Sequence, residues 1–164
     1  MNYFYKYWGS AVFIISILAI SSAFIAEYVY DLRPCKMCLH QRYPYYFIIF
    51  ISLIFYFLKK NTNVLLYILI ELSIIYGLFY SIWHVGIEKK LLKVPQGCSG
   101  ALEKSGSTDI LKEQILNQPI INCENVSWQI LGLSAAVLNT ILLLLIVFFN
   151  TIFIIRFYYA KEKK

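Results

Sequence analysis

Four apolar runs decide what this chain can fold into. No charged residue lies between Lys6 and Glu27, between Arg42 and Lys59 or between Glu124 and Arg156, and Val64 to Trp83 carries only Glu71. About 20 mostly apolar residues make a helix that crosses the hydrocarbon of a bilayer. The candidate membrane helices are therefore Trp8 to Tyr28, Tyr43 to Leu58, Val64 to Trp83 and Ser127 to Ile155, the second short and the fourth generous. Composition agrees. A soluble fold of 164 residues could not hide a chain that is 60% hydrophobic and 18% aromatic, because so small a body leaves much of its area in water.

Only Lys59 to Asn63 separate the second and third runs, which suits a tight antiparallel hairpin. The expected fold is an all-α membrane protein: one integral domain over residues 1–164, built as a four-helix transmembrane bundle. Its outer loops cover about 29–42 and 84–126. The longer one is rich in Pro, Gly and Ser, with a short helix expected from Thr108 to Gln118, capped by Ser107 or Thr108 and ended by Pro119. Its apolar residues would lie on the headgroup boundary. The first run also has features of a secretory signal, with Lys6 ahead of it and Ser21-Ser22-Ala23 within it. Its length, and its continuation into Tyr28, Val29 and Tyr30, favour an uncleaved helix.

Charge sets the expected orientation. Lys6, Lys59, Lys60, Arg156, Lys161, Lys163 and Lys164 are packed into short termini and one short loop, against the single acid Glu162. The basic residues of the other side are as numerous but spread through a long loop and mixed with acids. Density places both termini in the cytoplasm and all four cysteines outside. The net charge of +6 does not point to nucleic acid, since the basic residues flank apolar runs and form no stripe among interleaved aromatics.

The cysteines fall into two groups, Cys35 with Cys38 and Cys98 with Cys123, all outside the apolar runs, which fits an oxidising compartment. Cys35-Lys36-Met37-Cys38 can close and reopen a small disulfide with little backbone movement. Arg33, Lys36 and Arg42, with the N-terminus of the second helix, favour a reactive thiolate there. Pro44 is expected in the first turn of a helix beginning at Tyr43, the alternative being a helix that begins upstream, where the His40 carbonyl would lose its donor and the Cys38 to Arg42 turn would be distorted. Arg42 either snorkels to headgroups or hydrogen-bonds a quinone carbonyl, and Tyr43, Tyr45, Tyr46 and Phe47 are either ring walls or an interfacial belt. A zinc site would need two further ligands; Cys98 and Cys123 are too distant in sequence to form a second knuckle, although His40 and His84 could contribute, and no metal is expected. A purely structural reading suits Cys98 with Cys123 but not the small first ring. His84, next to Trp83, reads as a boundary residue. Glu71 is either functional or a protonated carboxyl bonded to a neighbouring helix.

Pro34-Cys35-Lys36-Met37-Cys38-Leu39-His40-Gln41-Arg42-Tyr43-Pro44-Tyr45 closely resembles the entrance motif of the DsbB family of quinone-linked disulfide-forming membrane proteins. The later loop, with two cysteines about 25 residues apart, is similar too. The resemblance implies an oxidoreductase of the bacterial inner membrane that reoxidises a soluble DsbA-like thioredoxin-fold dithiol oxidase and passes the electrons to ubiquinone or menaquinone. By matching position, Cys98 would be attacked by the partner, Cys123 would be its resolving cysteine and would exchange with Cys35, and Cys38 would reduce quinone with help from Arg42. Two other readings compete. An outward reductant conduit would place cysteines inside helices, and a vitamin K epoxide reductase-like protein would carry its Cys-x-x-Cys after the loop cysteines; neither pattern is present. A non-catalytic membrane scaffold stapled by disulfides predicts that Cys35→Ala leaves partner oxidation intact.

Overall fold

The computed structural model describes residues 3–59, 63–95, 98, 123, 129, 130 and 132–162. The short helix expected from Thr108 to Gln118 lies outside the described residues. Four helices follow one another: α1, Tyr3–Tyr28; α2, Lys36–Phe57; α3, Val64–Glu88; and α4, Ala135–Glu162. A two-residue hairpin, β1 (Gln129–Ile130) with β2 (Leu133–Ser134), leads into α4 and turns at Gly132, whose φ of 78° is a conformation that suits glycine. By length and composition Tyr7–Tyr28, Val64–Glu88 and Ala135–Tyr159 can each cross a membrane; α2 does not reach that apolarity.

Helix α1 begins at Tyr3, ahead of Trp8, and α3 runs past Trp83 to Glu88, into the stretch read as outer loop; the starts of α2 and α4 differ too. Helix α2 begins at Lys36, not at Tyr43, because Cys35 is its N-cap: the Cys35 sulfur accepts the Cys38 N–H at 3.3 Å. Pro44 is thus inside the helix, and the His40 carbonyl loses its usual donor. The partner helix accommodates the ring with Gly77, where a Cβ would stand 2.6 Å from Pro44 Cγ, while the Ser73 hydroxyl donates to the Pro44 carbonyl at 3.2 Å. Helix α4 begins at Ala135 and not at Ser127, since the hairpin takes up part of the intervening chain; Ser134 Oγ accepts the Val137 N–H at its start.

Helix α3 is the centre of the bundle and packs against α2 and α4, while α1 packs on α2. Its buried positions Ile70, Ile74, Gly77, Ser81 and His84 recur every three or four residues, and so do Leu143, Ile146, Asn150 and Phe153 of α4. Small and polar residues sit in this seam: Ser81 Oγ bonds Thr140 Oγ1 at 2.8 Å and the Ala136 carbonyl at 3.2 Å. Close backbone approach and interhelical hydrogen bonds are what hold helices together where lipid removes the hydrophobic drive. Toward the other end Asn150 is fully buried. It accepts from Trp8 Nε1 at 3.1 Å and donates to the Tyr67 carbonyl and to Glu71 Oε2, joining α1, α3 and α4. Thr151 donates to the second Glu71 oxygen at 2.6 Å, so Glu71 is a helix-joining acceptor. Leu18, Phe50, Leu72, Phe79 and Leu144 face outward, an apolar exterior that fits a lipid surround.

Candidate functional site

The four cysteines meet at the end of the bundle where α2 begins and α3 ends. Cys98 and Cys123 form a disulfide, with Cα atoms 5.7 Å apart, and the Cys123 N–H donates to the Cys98 carbonyl at 3.2 Å. Cys35 and Cys38 are free thiols, their sulfurs 3.0 Å apart. The sulfurs of Cys35, Cys98 and Cys123 all lie within 4.8 Å of one another. Cys35, Cys98 and Cys123 are buried among Met37, Ile87, Tyr80 and Trp83. An unpaired dithiol therefore faces a closed disulfide at short range in a largely dry cluster.

The two free thiols are inequivalent. Cys35 is favoured as a thiolate, its pKa lowered to about 4, chiefly by its side-chain hydrogen bond with Cys38; burial opposes this, and the His84 imidazole adds to it. Cys38, half-buried in the first turn of α2, is its partner in that contact. The stabilised Cys35 thiolate is the nucleophile favoured in exchange with the loop disulfide.

His84 is not a boundary residue: it is 5% exposed, and its Nε2 lies 3.7 Å from the Cys35 sulfur. Behind it runs a polar chain. His84 Nδ1 contacts Gln41 Nε2 at 3.0 Å, Asn139 Nδ2 donates to Gln41 Oε1 at 3.3 Å, and Tyr45 Oη donates to Asn139 Oδ1 at 2.6 Å. A donating Gln41 amide leaves Nδ1 unprotonated and puts the imidazole N–H on Nε2, aimed at Cys35. Glu88 also borders His84, with Oε1 at 3.9 Å from Nε2, and accepts from the Ser134 hydroxyl. His40 lies apart, stacked on Tyr80 at 4.7 Å.

On the other side of Cys38 a cavity of about 320 Å³ opens between α1, α2 and α4. Ala19, Ala23 and Ala26 form one wall, Cys38, Gln41, Arg42 and Tyr45 another, and Asn139 and Leu142 a third. Arg42 donates from Nη1 to Glu27 Oε2 at 2.6 Å and from Nη2 to the Ala23 carbonyl at 3.5 Å, with its guanidinium carbon 5.5 Å from the centre of the Phe24 ring. Of the aromatic cluster noted in the sequence only Tyr45 lines this space; Tyr43, Tyr46 and Phe47 are exposed, as the helical turn between neighbouring positions requires. The sequence reading overlooked Gln41, Asn139 and Glu27. The signal for Asn139 was its place, with Asn150, among polar residues on an apolar helix.

The arrangement suits thiol–disulfide exchange, in which a thiolate attacks a neighbouring disulfide, beside a mostly apolar space bounded by a cation and hydroxyl and amide groups. Comparison with known proteins gives the same direction. The family model for disulfide bond formation protein DsbB matches residues 5–153. The chain is also similar to the uncharacterized protein RP370 of Rickettsia prowazekii (strain Madrid E), 31% identical over 163 residues, which cover 98% of this chain and 92% of the relative. No solved structure matches. The family model spans nearly the whole chain and takes in both α2 and α3, which hold the free dithiol and His84, so the protein belongs to the DsbB family, membrane oxidoreductases of disulfide bond formation.

Proposed function

We propose that this protein reoxidises a soluble DsbA-like dithiol oxidase and delivers the electrons to membrane quinone. The observation that carries the reading is the double neighbourhood of the Cys35–Cys38 pair: Cys35 lies within 4.8 Å of the Cys98–Cys123 sulfurs, and Cys38 lines the cavity that Arg42 borders. In this reading all four helices span the bacterial inner membrane, with α2 as the least apolar span, both termini cytoplasmic and the cysteines periplasmic.

The exchange balances as follows. A partner thiolate attacks Cys98 and displaces Cys123 as a thiolate; the second partner thiol then displaces Cys98, leaving the partner oxidised and Cys98 and Cys123 reduced. With Cys35–Cys38 oxidised, Cys123 attacks Cys35 and displaces Cys38, and Cys98 closes the loop disulfide by displacing Cys35. The result is the pairing described here, a loop disulfide facing a free dithiol. His84 supports Cys35 as leaving group by directing its N–H at the sulfur, and Cys35 departs readily because its thiolate is stable.

The cavity fits a quinone ring. It is at the small end of the roughly 300–1,000 Å³ usual for small-molecule sites, mostly apolar, and offers a donor at Arg42 for a carbonyl oxygen. Quinone bound there would supply a lipid-soluble two-electron oxidant. Arg42 would orient a carbonyl and stabilise developing negative charge, Cys38 would present its sulfur to the ring, and the alanines of α1 would exclude water.

The test is anaerobic turnover. Purified protein, a reduced DsbA-like partner and a quinone analogue are mixed while quinone absorbance is followed. Wild type is expected to turn over, and Cys38→Ser and Cys98→Ser to stop. Continued turnover of Cys38→Ser would remove the proposed electron exit, and absence of turnover by wild type would favour the stapled scaffold.

A further inference from the structure

We propose that the reduced Cys35–Cys38 pair and His84 form a binding site for a thiophilic divalent cation of the Zn²⁺ class. The sulfurs of Cys35 and Cys38 and a ring nitrogen of His84 lie within 4.8 Å of one another, and all three side chains are buried or half-buried. Counting ligands along the sequence weighed against a metal because the loop cysteines could not form a second knuckle. The fold supplies the missing ligand from α3 instead.

Geometry supports this. A tetrahedral zinc with Zn–S near 2.3 Å and Zn–N near 2.0 Å separates two sulfurs by about 3.8 Å and a sulfur from a nitrogen by about 3.5 Å. The observed Cys35 Sγ to His84 Nε2 distance is 3.7 Å and the sulfur–sulfur distance 3.0 Å, so small side-chain rotations bring the three donors to bonding range. Two thiolates and a neutral imidazole neutralise the charge of a divalent ion. Three protein ligands leave the fourth position open, as in catalytic rather than structural zinc sites. Binding displaces whatever thiol proton the reduced pair holds and opens no sulfur–sulfur bond.

The surroundings of His84 favour the same occupant. A metal on Nε2 requires the proton on Nδ1, donated to an acceptor. Gln41 stands there at 3.0 Å and can present its oxygen by a half-turn of its amide; Asn139 and the Tyr45 hydroxyl behind it can reverse in the same sense. The histidine's far side is therefore held by groups that serve either tautomer. The oxidised pair, with both sulfurs in a disulfide, offers no thiolate and no site. Metal binding is thus confined to the reduced state, and, on the reading proposed above, a bound ion withholds both Cys35 and Cys38 from exchange.

The test reads binding without turnover. Full-length Cys98→Ser/Cys123→Ser protein in detergent, with Cys35 and Cys38 reduced under anaerobic conditions, is titrated with Co²⁺ and then with Zn²⁺. One Co²⁺ per chain is expected, with thiolate-to-cobalt charge-transfer absorption and the intense visible bands of a tetrahedral ion, both removed by Zn²⁺. Oxidised wild type should show neither band. His84→Ala and Gln41→Leu should weaken binding by about 10–100-fold and Gln41→Glu should restore or tighten it, as a second-sphere carboxylate does. Absence of the charge-transfer band, or equal affinity in wild-type and His84→Ala backgrounds, would overturn the proposal. Failure of quinone turnover with these results intact would remove the proposed function and leave the metal site standing.

Discussion

Arg42 and Glu27 form an ion pair at 2.6 Å across the seam between α1 and α2, the two side chains only 12% and 23% exposed. Arg42 also lines the cavity beside Cys38, so Glu27 fixes the direction in which the remaining guanidinium N–H groups point. On the proposed function, Glu27→Gln raises the quinone KM several-fold and Arg42→Leu raises it by about 10–100-fold, the range for loss of a charged hydrogen bond. Arg42→Lys does not rescue, since an ammonium cannot hold Glu27 and a carbonyl in one plane. Steady-state rates at varied quinone analogue check this, with exchange between partner and loop cysteines unchanged in all three variants.

Alkylation of Cys35 should be nearly independent of pH over a range where ordinary thiols fall silent. Its pKa is lowered from 9.0 to about 4. The sign follows directly: the thiolate persists above about 4 and is lost only as pH falls through that value. The rate of iodoacetamide labelling of Cys35, read by mass spectrometry on the reduced protein, should therefore stay level from neutral pH down to about 5, where a free cysteine would lose about tenfold per unit. A rate that climbs steadily toward pH 9 would show that Cys38 and His84 do not stabilise the thiolate.

Gly77→Ala should destabilise the bundle. The added Cβ would lie 2.6 Å from Pro44 Cγ and 3.3 Å from Leu143 Cδ1, and neither a proline ring nor a buried helix seam yields easily. The cost of such overpacking is about 1–3 kcal/mol, read as a lower midpoint of thermal unfolding in detergent. Pro44→Ala in the same chain should recover most of it.

Glu71→Leu should lower stability and leave turnover per folded molecule unchanged. Both Glu71 oxygens accept hydrogen bonds from α4, from Asn150 at 2.7 Å and Thr151 at 2.6 Å. Removing the acceptor leaves two inward donors unmet, at about 1–3 kcal/mol, while Glu71→Gln keeps one of them and loses less. A turnover defect in folded Glu71→Gln would instead show a functional carboxyl.

The sequence made three of the four helices legible because their apolar runs are long, and it marked Cys35 and Cys38 because a two-residue spacing between thiols is rare outside redox and metal sites. It did not show where α2 begins. Pro44 argued for a start at Tyr43, whereas the fold makes room for the proline ring at Gly77, a residue far along the chain. His84 was misplaced for a related reason: beside Trp83 it looked interfacial, yet Gly77, Ser81, His84 and Glu88 recur at helical spacing and form one small and polar stripe on α3. That stripe was readable. Its partners, Gln41 on α2 and Asn139 on α4, were not, because pairing between helices depends on rotation and depth, which hydropathy does not encode.

The sulfur of Cys35 also caps α2, accepting the Cys38 N–H. Whenever that sulfur shares its electrons with another cysteine it becomes a poorer acceptor, and the first turn of the helix loses its fastening. Bond exchange at Cys35 thereby loosens the very segment that carries Cys38, so chemistry on one sulfur sets the mechanical freedom of the next.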